Sequence, residues 1–177
     1  DRAGNIYLLQ GGVPPKTAAP AGFEGDERIK RGGTIYKFPP SGGEILSSNN
    51  KVKSVSGAVT QYVGCGSVSQ WRAIGSCVCT KPRFDVDDYG RLYIPNSITF
   101  SVSIRNNADN EIVRFGDYGN FDCQGHGSLE PQPTIPLGWA VTASATDKHI
   151  YVGDCLNHRV VRVDKQFAAE VTAGMPK

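Results

Sequence analysis

Apolar positions along this chain alternate with polar ones in short runs, broken every few residues by Gly, Asp, Asn or Pro. That period of two reads as β-strands rather than helices. One pattern recurs three times. It appears as Asp1-Arg2-Ala3-Gly4-Asn5-Ile6-Tyr7-Leu8, then as Phe84-Asp85-Val86-Asp87-Asp88-Tyr89-Gly90-Arg91-Leu92-Tyr93-Ile94. Its third form is Trp139 to Ser144 followed by Asp147-Lys148-His149-Ile150-Tyr151-Val152. Each places a turn built from Asp or Gly before aliphatic-Tyr-aliphatic, which is a hairpin signal. The middle unit is expected to hold strands near 83–87, 91–95, 99–105 and 110–115. The third adds runs at 159–164 and 169–172, and the first adds 33–38 and 44–46 on either side of Pro39-Pro40-Ser41-Gly42-Gly43.

Four short strands per unit, repeated at about 40 to 60 residues, is the pattern of a β-propeller blade. The expected fold is therefore all-β, with about three four-stranded blades forming a partial ring. Residues 1–46 make a first, incomplete unit with a long loop at 11–31. Residues 47–80 read as a Cys-containing insertion, in which 59–63 and 69–72 are expected to form an extra hairpin. The second blade spans 81–120, and a connection with the third blade spans 121–177. Closed propellers need four to eight blades, so three units predict bare apolar faces. A protein partner or further propeller blades are expected to cover them.

Composition narrows the class further. An apolar fraction of 39% supports a core, while 21 Gly, 11 Pro and a single Met argue against a helical bundle. The formal net charge of +2, with both signs interspersed, gives no basic stripe for nucleic acid. No apolar stretch approaches the roughly 18 residues of a membrane span. The chain starts at Asp1 without Met or an apolar leader, so a targeting segment is expected to be absent or already removed. Four of the five Cys sit beside Gly, Asp or Ser in turn-like sequence, which points to an oxidising, extracytoplasmic setting, periplasmic or secreted.

The stretch Tyr151-Val152-Gly153-Asp154-Cys155-Leu156-Asn157-His158-Arg159-Val160-Val161-Arg162-Val163-Asp164 resembles the signature of NHL repeats. There, an aliphatic-Tyr-Val strand leads through Asp and an Asn-His-Arg-like turn into an apolar strand. The middle unit is similar but has Asn96 in place of the Asp, and the first matches only from Asp1 to Leu8. The Cys-x-Cys before Phe84 and the stretch from Arg114 to Asn120 look like large bacterial secreted NHL-repeat proteins. The resemblance implies an NHL-type propeller and leaves the activity open, since propellers host many chemistries.

Blade topology brings the candidate chemistry to one rim. Cys123 and His126 lie in the connection after the second unit, and Cys155 and His158 lie in the turn between two strands of the third. The expectation is a Cys123–Cys155 disulfide; the alternative is a site for zinc or haem iron made by Cys123, His126, Cys155 and His158. Cys65, Cys77 and Cys79, in the insertion, are further disulfide candidates. Cys77 and Cys79 face the same way if extended, so either would pair with Cys65 rather than with each other. Asp85, Asp87, Asp88, Asp117 and Asp122 are weaker calcium candidates without an Asp-x-Asp-x-Asp-Gly loop. No nucleophile-elbow or phosphate-loop motif occurs, and no catalytic residue is assigned. The expected function is a scaffold or protein-binding module without a cofactor. Alternatives are a metal-dependent propeller lyase acting on peptidyl-hydroxyglycine, and a redox accessory subunit contacting a haem protein.

Overall fold

The computed structural model describes residues 1–11, 32–48, 51–67, 82–120, 122–123 and 133–166. Among them there is no helix, and none of the several sheets closes on itself. Among the described residues, no helix is long and apolar enough to cross a membrane. The middle sheet follows the alternating pattern closely. Strands β6 (Asp85–Val86), β7 (Leu92–Asn96), β8 (Ser101–Arg105) and β9 (Glu111–Phe115) pair antiparallel in chain order. The third sheet is an antiparallel meander of β12 (Ala140–Ala145), β13 (His149–Asp154) and β14 (Arg159–Asp164). The run at 169–172 lies outside the described residues.

The first sheet departs from expectation in its third strand. It is formed by β1 (Ile6–Gly11), β2 (Gly32–Phe38) and β5 (Thr60–Ser67), in that order. Between β2 and β5 the chain makes a separate hairpin from β3 (Glu44–Ser48) and β4 (Lys51–Ser56). The segment expected to continue the first sheet, 44–46, therefore pairs with 54–56 instead. The segment expected in an extra hairpin, 59–63, aligns with β2: Tyr62 lies opposite Ile35 and Gln61 opposite Tyr36. The proposed hairpin partner at 69–72 lies outside the described residues, as does most of the loop 11–31.

The three sheets stack face to face because strand side chains alternate. On β7, Leu92 and Ile94 turn toward the first sheet and pack with Ile35, Tyr62, Tyr7 and Leu9. Tyr93, with Val102 and Ile104 of β8, turns the other way and packs on Ala143, Ile150 and Val152 of the third sheet. Both faces of the middle sheet are thus covered. Burying one such Leu or Ile completely contributes about 2 kcal/mol. The β3–β4 hairpin roofs the far face of the first sheet with Val52, Ile45 and Val55, over Tyr36 and Phe38.

Polar links fix the order of the stack. Arg83 N donates to Val141 O at 2.8 Å and Arg83 O accepts from Ala143 N at 3.0 Å, tying the approach to β6 onto β12. The Asp85 carboxylate accepts from Ala145 N at 2.8 Å and from Ser144 Oγ at 3.2 Å. On the other side, the buried Lys37 Nζ donates to Asn107 Oδ1 at 3.1 Å.

Candidate functional site

Two Asp turns repeat nearly bond for bond. Asp1 Oδ1 accepts from Ala3 N and Asn5 N at 3.0 and 2.9 Å. Its Oδ2 accepts from Asn5 Nδ2 at 2.9 Å and Tyr7 Oη at 2.8 Å. In the middle unit, Asp87 Oδ1 accepts from Tyr89 N and Arg91 N, both at 3.0 Å. Asp87 Oδ2 accepts from Arg91 Nε at 2.6 Å and Tyr93 Oη at 2.9 Å. Gly4 and Gly90 close the turns at φ +80° and +72°, a region that only glycine enters without strain. Burial works to raise the Asp87 pKa, but the Arg91 and Tyr93 donors outweigh it and hold the carboxyl below its usual value of 3.8. Burial first, and then the adjacent carboxylate, pushes the Tyr93 phenol well up; burial, with Tyr62 behind it, takes Tyr7 up to about 12. With both oxygens of each carboxylate already accepting, the Asp turns organise strands. Among the described residues, no group of three or more His, Cys, Asp and Glu stands together as a metal cluster.

The candidate rim lies at the opposite end of these strands. Here β7 and β13 each end in a polar residue, make a four-residue turn and re-enter the sheet. Asn96 Oδ1 accepts from Ile98 N at 3.0 Å within its own turn. Asp154 occupies the same place in the third unit. It is fully buried, and Oδ1 accepts from Trp139 N at 2.8 Å and Gly138 N at 3.1 Å. Its Oδ2 accepts from Asn157 Nδ2 at 2.7 Å and Arg159 Nε at 3.2 Å. Arg159 also donates to Pro136 O. The carboxylate thus latches the turn after β13 to the segment entering β12. Gly138 permits the approach: a β-carbon there would stand 2.9 Å from Asn157 Nδ2 and 3.2 Å from Leu156 Cβ. The short parallel pair of β10 (Asp117–Tyr118) and β11 (Pro136–Leu137) carries the connection between units across this rim.

Phe100 and His158 are the left-handed residues of the two turns, at φ +53° and +49°. Such values are uncommon without a glycine and mark the turns as equivalent in backbone. Phe100 stacks edge-on with Tyr118, ring centres 4.8 Å apart. His158 is exposed.

The loops bearing Cys123 and Cys155 meet: Asn157 Nδ2 donates to Gly119 O at 2.8 Å, and Cys123 N closes its turn on Asn120 O at 3.0 Å. No disulfide joins the two cysteines. Both thiols are free, Cys123 buried and Cys155 exposed. The Cys123 side chain turns inward, with Cβ 3.5 Å from where a β-carbon on Gly119 would sit. His126, Cys77 and Cys79 lie outside the described residues. Cys65 falls in β5, aligned with Gly33 of β2. His149 begins β13 at the far end from His158 and pairs with Asp164 at 3.4 Å. Trp139 is half-buried, its backbone divided between the Asp154 carboxylate and Cys155 N.

Asp154 is the residue that the pattern of cysteines and histidines overshadowed. Its signal was present in the spacing Asp154-x-x-Asn157-x-Arg159, which places two side-chain donors within reach of one carboxylate. No family model, no curated protein and no solved structure matches the chain.

Proposed function

We propose that the chain is part of a β-propeller of NHL type, working outside the cytoplasm as a scaffold or protein-binding module of a larger assembly. One observation carries this reading. The strands β1, β7 and β13 each place aliphatic-Tyr-aliphatic at the same point of successive sheets, and the aliphatic pairs of β7 and β13 are roofed by the sheet before them. A stack that repeats the same contact from sheet to sheet is how blades build a ring. The aspartates and the latch are saturated by structural donors, which supports a binding rather than a catalytic role. The extracytoplasmic placement rests on the sequence alone, on cysteines beside Gly, Asp or Ser.

Negative-stain imaging of the assembled particle tests the architecture: a ring of sheets about a central channel supports it, and a two-sheet sandwich overturns it. The binding role is tested separately by hydrophobic-dye binding to the isolated chain. A 19.0 kDa monomer that binds no dye has no open sheet face to offer.

A further inference from the structure

The third sheet carries on its far face the half of a junction that the other two sheets keep covered. Cross-strand register sets Tyr7 opposite Lys37 and Leu9 opposite Ile35 in the first sheet. It sets Tyr93 opposite Ile104 and Pro95 opposite Val102 in the middle sheet. In the third sheet it sets Tyr151 opposite Arg162 and Gly153 opposite Val160. The first two sets are roofed by the next sheet: Ile35 packs with Leu92 and Ile94, and Val102 and Ile104 pack with Ile150 and Val152. In the third set Tyr151 is 38% and Val160 70% exposed. Arg162, whose side chain is 62% exposed, stands in the register place of Ile104 and also of Lys37. Lys37 shows that a cation fits such a junction. It is buried, and its Nζ donates at 3.1 Å to Asn107 Oδ1, in the turn between β8 and β9 of the covering sheet. The far face of the third sheet thus repeats the first sheet's half of the first junction, with tyrosine, aliphatic residue and cation together.

We propose that this face docks a further sheet of the same repeat. That sheet lays an aliphatic-Tyr-aliphatic strand over Tyr151 and Val160, and it offers Arg162 a carboxylate or amide oxygen from the turn before its fourth strand. Continuity with the two internal junctions selects this occupant. Each roofing strand, Leu92-Tyr93-Ile94 and Ile150-Tyr151-Val152, turns its aliphatic pair onto the tyrosine side of the sheet before it. The acceptor follows from charge, since a guanidinium taken out of water needs its donors bonded. Within the chain, Asp164 Oδ1 lies 3.8 Å from Arg162 Nε, beyond hydrogen-bonding distance. The proposal rests on the propeller reading and adds which face receives the next unit, and through what chemistry.

The test is photo-cross-linking within the assembled particle from Val160→p-benzoylphenylalanine. Should that variant fail to fold, Tyr151→p-benzoylphenylalanine takes its place. Mass spectrometry of the linked peptide is expected to put the bond on an aliphatic residue of an aliphatic-Tyr-aliphatic strand belonging to a further unit. Adding Arg162→Glu, at an exposed position, is expected to leave the circular dichroism spectrum unchanged and to lower the cross-linked yield about tenfold, the scale of one hydrogen bond to a charged group. A linked peptide without that strand pattern overturns the further sheet and leaves the propeller reading standing. So does a bond onto Ile6 or Leu8, which gives the face to a second copy. A yield unchanged by Arg162→Glu overturns the acceptor, and with it the likeness to the Lys37 junction. No cross-link from either position shows the face bare and overturns the propeller reading as well.

Discussion

Asp87 gathers four donors onto one carboxylate within a span of seven residues, and the ionised form is the one they favour. Its pKa is depressed in the folded chain, so its contribution to stability is fully present above about pH 4 and is lost as pH falls through the folded value. Glu111 behaves alike: burial opposes ionisation, and hydrogen bonds from Ser103 and Arg114 overcome it. Asp87→Ala is expected to cost about 2–3 kcal/mol at pH 7, the scale of hydrogen bonds to a charged acceptor that leave donors behind. Asp87→Asn is expected to flatten the loss of stability between pH 5 and about pH 2. Urea midpoints measured across that range check both. Tyr7 shows the opposite sign. Its raised pKa of about 12 gives a contribution intact below pH 10 and lost as pH rises toward 12.

At the scale of elements, the turns after β7 and β13 carry a left-handed residue at the same place. Asn96 accepts from Ile98 N, and Asp154 holds a second segment 15 and 16 residues away. Asp154→Ala strands the Gly138 and Trp139 amides and leaves Arg159 without its carboxylate. The expected cost is about 3–5 kcal/mol, with faster hydrogen exchange at Trp139 than in the wild type. Alternation marked the strands of the middle sheet and β12 to β14, but not β4 in the insertion or the short β10–β11 pair. The middle sheet lies within two residues of the expected positions because its four strands are joined by short turns. Partner choice in the first sheet was not legible: alternation in 44–46 and 59–63 is equal, and only the hairpin closing on itself decides that β5 returns to β2. Blade topology put Cys123 and Cys155 on loops that do meet. Cys123 is buried and Cys155 exposed, a difference that no spacing encodes, and the latch was hidden because Asp is ordinary in turns.

Among the described residues, apolar layers separate the hairpin, the first sheet, the middle sheet and the third sheet. Leu92 lies in the central layer, fully buried, so Leu92→Ala is expected to cost about 2–5 kcal/mol at any protein concentration. Leu8 stands on the outer face. It is about half exposed there, so Leu8→Ala is expected to cost about 1 kcal/mol or less. Urea midpoints of both variants separate the two kinds of site. A loss on Leu8→Ala as large as that on Leu92→Ala would place Leu8 in a covered layer.

The two carboxylate constructions also differ in when they can form. The Asp87 turn closes between Asp87 and Tyr93, a loop short enough to close in well under a microsecond. The Asp154 latch instead draws together residues 138 to 159, and through Asn157 it reaches Gly119 across 38 positions. Long loops are assembled late, because their closure entropy must be met before their contacts add stability. Loss of the Asp87 turn should therefore appear as slower refolding, with a φ-value above about one half. Loss of the latch should appear as faster unfolding, with refolding nearly unchanged. In the folded chain the two devices look alike, each one carboxylate with several donors, but they belong to opposite ends of the folding reaction.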